Sequence, residues 1–252
     1  MKHLFLEQGK PLLTVMVQAD NPERIKELID KSVPEGAEAF GIQFEQMKSE
    51  YRTQKVYNDL FSYAKDKLVY VTNYRTAKNE GKSDTQLAEE LLELADCGAD
   101  LCDVMGDCFD RQPDELAVDK TAIEKQKELI RKIHNKGAKV LMSSHVLKYI
   151  PAEMVLEIAL EHQRRGAEIC KIVTGADTME EQIENLKIIN MLKENLDIPF
   201  LFLCCGECSI LRRIGGELGC CMYLCVHEYD ALATPQQPLL NNVKIIRDTI
   251  EL

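Results

Sequence analysis

Four short tetrads recur along the chain and narrow what it can fold into: Gly36-Ala37-Glu38-Ala39, Gly98-Ala99-Asp100-Leu101, Gly137-Ala138-Lys139-Val140 and Gly166-Ala167-Glu168-Ile169. Each follows residues with helical spacing and precedes an apolar run. Glycine readily enters the left-handed backbone region that ends a helix, so each tetrad reads as a helix-to-strand junction. Repeated junctions of this kind specify alternating β and α units, and hence a mainly parallel sheet.

Apolar runs supply eight strands, at Leu12–Val17, Ala37–Gln43, Leu68–Thr72, Leu101–Val104, Lys139–Ser143, Ile169–Val173, Phe200–Cys204 and Cys220–Val226. Helices fall between and after them. The first opens on Asn21-Pro22, a capping residue with proline at the first helical position. Apolar stripes mark others: Tyr57, Leu60, Phe61 and Ala64 in the second, Leu87, Leu91 and Leu94 in the third, and Met179, Ile183 and Leu186 in the sixth. Eight βα units in 252 residues match a closed (β/α)₈ TIM barrel. A doubly wound open sheet is the alternative, because counting units does not prove closure. No linker or low-complexity segment divides the chain, so residues 1–252 read as a single domain.

Composition removes several function classes. A formal charge of −11 argues against nucleic acid or an anionic membrane as partner, while leaving room for a small anionic substrate held by local arginines. No run approaches the ~20 apolar residues that cross a bilayer. Met1-Lys2-His3-Leu4-Phe5-Leu6-Glu7 becomes charged too soon for an export signal. Ten cysteines without disulfide-like spacing suit a reducing compartment, and the expectation is a cytoplasmic protein.

In such a barrel, chemistry sits where strands end and the following loops begin. Lys171 lies near the end of the sixth strand, in Ile169-Cys170-Lys171-Ile172-Val173. Withdrawing an ammonium from water favours the neutral amine, which attacks carbonyl carbons and forms imines. The bland reading is a lysine that snorkels to the rim or pairs with a carboxylate. His145 follows the fifth strand and should neighbour Lys171, where an imidazole moves protons near neutrality; otherwise it caps a helix. Arg75, Arg213 and Gln237 follow the third, seventh and eighth strands and could converge on a substrate carboxylate. Arg212 competes with Arg213 for the inward position, and each arginine alone also fits a surface ion pair. Cys204, Cys205 and Cys208 invite a metal reading, but most of the cysteines lie in apolar strands, where the residue behaves as a small hydrophobe. No metal is expected.

These residues resemble a known family. An arginine after strand three, a histidine after strand five, a lysine on strand six and the segment Ser209–Gly219 are similar to type I 3-dehydroquinate dehydratase, over about Leu12 to Ile250. The strongest matches are Ser144-His145, Cys170-Lys171-Ile172 and Arg213 with Gly216-Glu217. The resemblance implies a (β/α)₈ barrel, usually a homodimer, that needs no cofactor. It implies an imine between Lys171 and a keto-acid substrate, proton transfer by His145, and loss of water to give 3-dehydroshikimate in the shikimate pathway. Arg213 and Gln237 become the carboxylate clamp, Tyr74-Arg75-Thr76 matches the family's Phe-Arg-Thr/Ser, and Glu80 stands for the glutamate that orients the histidine.

The departures cluster. After strand two the family carries Glu-x-Arg-x-Asp, whose first two charged members contact substrate hydroxyls; this chain has Gly41-Ile42-Gln43-Phe44-Glu45. Gln43 remains a substrate contact without the guanidinium charge. Met105 stands where many members carry glutamate, and Ala233 where they carry serine. The expectation is imine chemistry with altered selectivity toward a related cyclic keto acid. A class I aldolase-like lyase and a non-catalytic carboxylate-binding barrel are the alternatives.

Overall fold

The computed structural model describes residues 10–64 and 66–250. Eight strands alternate with eight helices: β1 (Leu12–Val17), α1 (Pro22–Ser32), β2 (Ala39–Gln43), α2 (Gln54–Tyr63), β3 (Leu68–Thr72), α3 (Asp84–Asp96), β4 (Leu101–Met105), α4 (Lys120–Asn135), β5 (Lys139–His145), α5 (Ala152–Arg165), β6 (Ile169–Gly175), α6 (Met179–Asn195), β7 (Phe200–Cys205), α7 (Leu211–Leu218), β8 (Met222–Cys225) and α8 (Leu240–Thr249). The Met1–Glu7 stretch read above as no export signal lies outside the described residues.

All neighbouring strands pair in parallel, in the order β7-β6-β5-β4-β3-β2-β1-β8. The two ends of that order meet. The Cys221 N–H donates to Phe200 O at 2.9 Å, and beside it the Phe202 N–H donates to Cys220 Sγ at 3.3 Å. A thiol thus stands where a ladder carbonyl would, and the ring is nearly closed.

The tetrad glycines Gly36, Gly98, Gly137 and Gly166 all have φ between +90° and +109°, as the junction reading requires. Boundaries differ in two ways. β2 and β8 are shorter than the apolar runs suggest, because Ala37 and Cys220 belong to turns that enter the strands. β5 and β6 run on to His145 and Gly175, so His145 is the last strand residue rather than the first loop residue.

The apolar stripe expected on α6 is a correction. Met179 and Ile183 are exposed, and the buried face is Asn185, Ile188, Ile189 and Leu192. Asn185 breaks the apolar pattern because its amide turns inward and donates to Gly175 O at 3.3 Å.

Side chains alternate across each strand. One set packs outward under the helices, among them Phe40, Val71, Val104 and Met142. The other set fills the barrel interior, with Leu68, Leu101, Leu141, Ile169, Leu201 and Met222 toward the bottom. Further up, the interior changes character. Tyr70, Asp103, Ser143 and Lys171 occupy inward positions and are buried, a polar layer roofing an apolar plug. Among the described residues, no helix is long and apolar enough to cross a membrane.

Candidate active site at the barrel mouth

A cavity of about 710 Å³ opens at the carboxyl ends of the strands. Lys171 forms part of its floor and is only 4% exposed. Its Nζ donates to Tyr74 Oη at 2.7 Å and Tyr70 Oη at 3.1 Å, and lies 3.3 Å from Asp103 Oδ2. Both tyrosine hydroxyls donate to that same carboxylate oxygen, and Ser143 Oγ donates to Oδ1. Burial alone would raise the Asp103 pKa, but the Lys171 ammonium, with His145, Ser143 and Tyr70, holds it below the usual carboxylate range. Burial and then the Asp103 charge push both phenols well above theirs, so they remain donors. The lysine therefore has the carboxylate partner of the bland reading and a place on the cavity floor as well.

The register pairs Ser143 with Lys171, and His145 sits two residues beyond Ser143 on the same inward face. Its ring lies edge-on to Tyr74, with centroids 5.1 Å apart. His145 Nδ1 is 3.3 Å from Glu115 Oε2, and the His145 backbone N–H donates to that oxygen at 2.6 Å. Burial would raise the Glu115 pKa, but the hydrogen bond and charge of His145 keep it low. Engagement of Nδ1 leaves Nε2 to act, and Nε2 has no hydrogen-bond partner among the described residues.

Glu115 replaces the expected orienter. Glu80 follows a short 3₁₀ turn at Ala77–Asn79, is exposed, and does not line the cavity. Glu115 comes instead from the 14-residue connection 106–119 between β4 and α4, with φ at +51°. That connection is pinned at many points. Ser144 Oγ donates to Glu115 O at 2.7 Å, Arg165 donates to Gly106 O and Ala117 O, and Gln126 donates to Gly106 O and Cys108 O. Gly106 has no space for a side chain, since an added Cβ would lie 2.5 Å from Glu115 O. The buried, neutral His162, its pKa pushed down to about 3 by burial, lies 3.1 Å from Ser144 Oγ.

The arginines are also redistributed. Arg213 is exposed, whereas Arg212 is 7% exposed and lines the cavity. The buried face of α7 is Leu211, Arg212, Gly215 and Gly216, so Arg212 shares a stripe with glycines three and four residues on. An added Cβ at Gly216 would lie 2.4 Å from Tyr223, which shows how closely that face approaches the barrel. Arg212 Nε donates to Cys204 O at 2.7 Å. No carboxylate pairs with its guanidinium among the described residues, and burial lowers its pKa. A buried cation without a counter-ion facing a cavity suits an anionic ligand.

Arg75 reaches the cavity wall with its donors already engaged. It forms a fork to Asp84 at 2.7 and 2.8 Å, an ion pair to Asp107 at 2.7 Å, and a bond to Asp107 O at 3.0 Å. It braces the β4–α4 connection rather than offering a free fork to substrate. Gln43 and Gln237 both line the cavity, and among the described residues the Oε1 atom of each is buried without a partner. Each amide thus keeps one unmet acceptor beside a ligand-sized space.

Apolar side chains complete the lining, among them Met16, Met105, Leu203 and Leu224. An added Cβ at Gly41 would lie 2.2 Å from Met16 Sδ, so the thioether fills the space a side chain at 41 would take. Just past the end of β2, Glu45 is fully buried, accepts from Thr72 Oγ1 at 2.8 and 3.0 Å, and has its pKa raised to about 7 by burial.

Cys205 reaches the cavity edge, while Cys204 is buried on the other face of β7, where its thiol meets Asn185 of α6. Among the described residues, no group of three or more His, Cys, Asp or Glu side chains is placed to hold a metal.

Comparison with known proteins bears on the fold and the family. A relative called 3-dehydroquinate dehydratase from Alkaliphilus oremlandii (strain OhILAs) is 34% identical over 106 residues, which span 41% of this chain and 40% of that relative's length. The chain also matches the crystal structure of 3-dehydroquinate dehydratase from Geobacillus kaustophilus HTA426, with a TM-score of 0.81, 15% identity, and coverage of 96% and 92% of the two chains. The type I 3-dehydroquinate dehydratase of Clostridium difficile, solved with covalently modified comenic acid, gives 0.77 and 19% over 97% and 96%. At these identities the structures speak for the fold. The family model for type I 3-dehydroquinase matches residues 13–243, nearly the whole barrel, and the chain belongs to that family.

Proposed function

We propose that this protein is a hydro-lyase that forms an imine between Lys171 and a cyclic keto acid and eliminates water, as in the conversion of 3-dehydroquinate to 3-dehydroshikimate. One observation carries the reading. A buried lysine, a carboxylate-oriented histidine and an unneutralised arginine line a single cavity at the barrel mouth.

In this mechanism Lys171 attacks the ketone and gives an iminium ion, whose electron withdrawal acidifies the neighbouring C–H. His145, its Nδ1 held by Glu115, takes or shuttles that proton through Nε2 and later helps hydroxide depart as water. Arg212 holds the carboxylate, with Gln237 beside it, and so fixes which C–H faces the base. Gln43, on the cavity lining, contacts a ring hydroxyl. The family match favours this elimination over the C–C cleavage of an aldolase.

The wall of Met16 and Met105 favours a substrate with fewer hydroxyls on that side than 3-dehydroquinate carries, because each hydroxyl buried without a partner costs ~1–3 kcal/mol. The ten unpaired cysteines support action in the reducing cytoplasm. The family resemblance supports a homodimer.

The test is borohydride reduction with 3-dehydroquinate and with cyclic keto acids lacking one or more ring hydroxyls, followed by peptide mapping and product mass. A covalent label on Lys171 and a product lighter by one water support the reading. Ligand binding without a label, or a fragmented product, defeats it. Turnover of 3-dehydroquinate at ordinary enzyme efficiency would remove the altered selectivity while keeping the dehydratase.

A further inference from the structure

We propose that Tyr74 is a further catalytic residue of this site, a relay that carries the surplus proton of Lys171 to Asp103 when the amine attacks a ketone. The proposal rests on the imine reading above. Tyr74 Oη accepts from Nζ at 2.7 Å, and its own hydroxyl donates to Asp103 Oδ2, so an N–H···O–H···O chain is already aligned in the resting site. The direct path from Nζ to Oδ2 is longer, at 3.3 Å. Tyr70 donates to the same carboxylate oxygen, but its hydroxyl lies 3.1 Å from Nζ and the residue is fully buried away from the cavity. Tyr74 lines the cavity beside the reacting nitrogen. It also stands where the family pattern has phenylalanine, so the hydroxyl is a departure that the shared imine chemistry does not by itself require.

The step balances without a co-reactant. One proton passes from the Lys171 ammonium to Tyr74 Oη as the phenol's own proton passes to Asp103. A neutral amine, an intact phenol and a neutral carboxylic acid result. The nitrogen lone pair then forms a bond to the ketone carbon, the C=O π pair moves to oxygen, and one nitrogen proton transfers to that oxygen, giving a carbinolamine. Asp103 next returns its proton through Tyr74 to the departing hydroxyl. Nitrogen re-forms a double bond to carbon as the C–O bond breaks, and water leaves. The iminium now holds the positive charge opposite the restored Asp103 carboxylate.

The charged and titratable groups facing the relay are Tyr70, Asp103, His145, Lys171 and Glu45. Because burial and Asp103 push the Tyr74 phenol well above its ordinary range, the two protons shift together and no phenolate is formed.

The experiment compares wild type, Tyr74→Phe and Tyr70→Phe by the rate of borohydride trapping across pH, with 3-dehydroquinate and with the cyclic keto acids lacking ring hydroxyls, each variant first checked by thermal unfolding. In Tyr74→Phe, trapping is expected to slow roughly ten- to a hundredfold at neutral pH, and the deficit to shrink as rising pH lets bulk hydroxide take the proton. Tyr70→Phe is expected to be milder. Equal rates and an unchanged pH profile in Tyr74→Phe overturn the relay while leaving the imine reading intact, as does a loss confined to Tyr70→Phe. A wild-type protein that traps no ketone overturns both. Should Tyr74→Phe fail to fold, 3-fluorotyrosine at position 74 keeps the shape and acidifies the phenol. A displaced pH profile then supports the relay and an unmoved one refutes it.

Discussion

The two sides of the barrel mouth have opposite characters. Around β5, β6 and α7 every inward polar group has a defined chemical setting: Lys171 against Asp103, His145 against Glu115, and Arg212 facing open space. Around β1 and β2 the wall is Met16, Gly41 and Gln43, where a thioether fills the volume that a side chain at 41 would take. The contrast teaches that the Lys171 cluster draws on β3 to β6 while the thioether-filled corner belongs to β1 and β2, so the proposed imine chemistry and the proposed hydroxyl reading can be probed by separate substitutions.

The sharpest way to break this comparison is Lys171→Met. It is expected to abolish borohydride labelling. Because it leaves Asp103 buried without its cation, it also costs about 3 kcal/mol of stability, measured by denaturant titration. Next comes the choice between adjacent arginines. Arg212→Met is expected to raise KM roughly a hundredfold, the effect of losing a charge-assisted pair to a carboxylate, while Arg213→Met stays within about twofold. A larger effect at Arg213 would show that α7 presents the other residue, and equal effects that neither is singled out.

The buried acid on the β2 side has a pH signature. Glu45 has a folded pKa of about 7 against an ordinary 4.5, so the native state keeps a proton that the unfolded chain has lost over that interval. Stability contributed there falls as pH rises from about 4.5 to about 7, by up to ~3 kcal/mol. Glu45→Gln should remove that decline, and urea titrations of both proteins at several pH values check it.

A smaller effect separates the two glutamates. Glu115→Gln is expected to lower kcat roughly ten- to thirtyfold with little change in KM, and Glu80→Gln to leave both near wild type. The mildest change probes the methionine wall. Gly41→Glu alone should cost about 1–3 kcal/mol by colliding with Met16, and adding Met16→Ala should restore most of that loss. If the double variant also gains turnover of the more hydroxylated keto acid, hydroxyl reading is confined to that wall.

Much of the fold was legible because its signals are local. The tetrad glycines must sit at left-handed positions whatever the rest of the chain does, and strand alternation follows from the pleat. Lys171 and His145 were legible for the same reason, as polar residues at strand ends. What escaped depends on approach between elements. Arg212 was distinguishable from Arg213 only through Gly215 and Gly216, whose small size lets that helix face press on the barrel. Asp103, the only charge in the run Leu101–Met105, carried a usable signal, since a buried acid in a strand demands a cation. Glu115 had none: it is one of several acids in a non-repeating connection, and only the path of that connection brings it to His145. Glu80 was misplaced because a family spacing was extended across the buried Asn79, which turns inward and leaves its neighbour outside.

The left-handed backbone at Glu115 gives the histidine an unusual dependence. Orientation of the imidazole is delegated to a span that must first be threaded over the rim and fastened by Arg75, Ser144 and Arg165. A slip of one residue in that span would carry the carboxylate away while every strand stayed in place. Were His145 to move protons as proposed above, its tuning would rest on how firmly that strap is lashed to the rim.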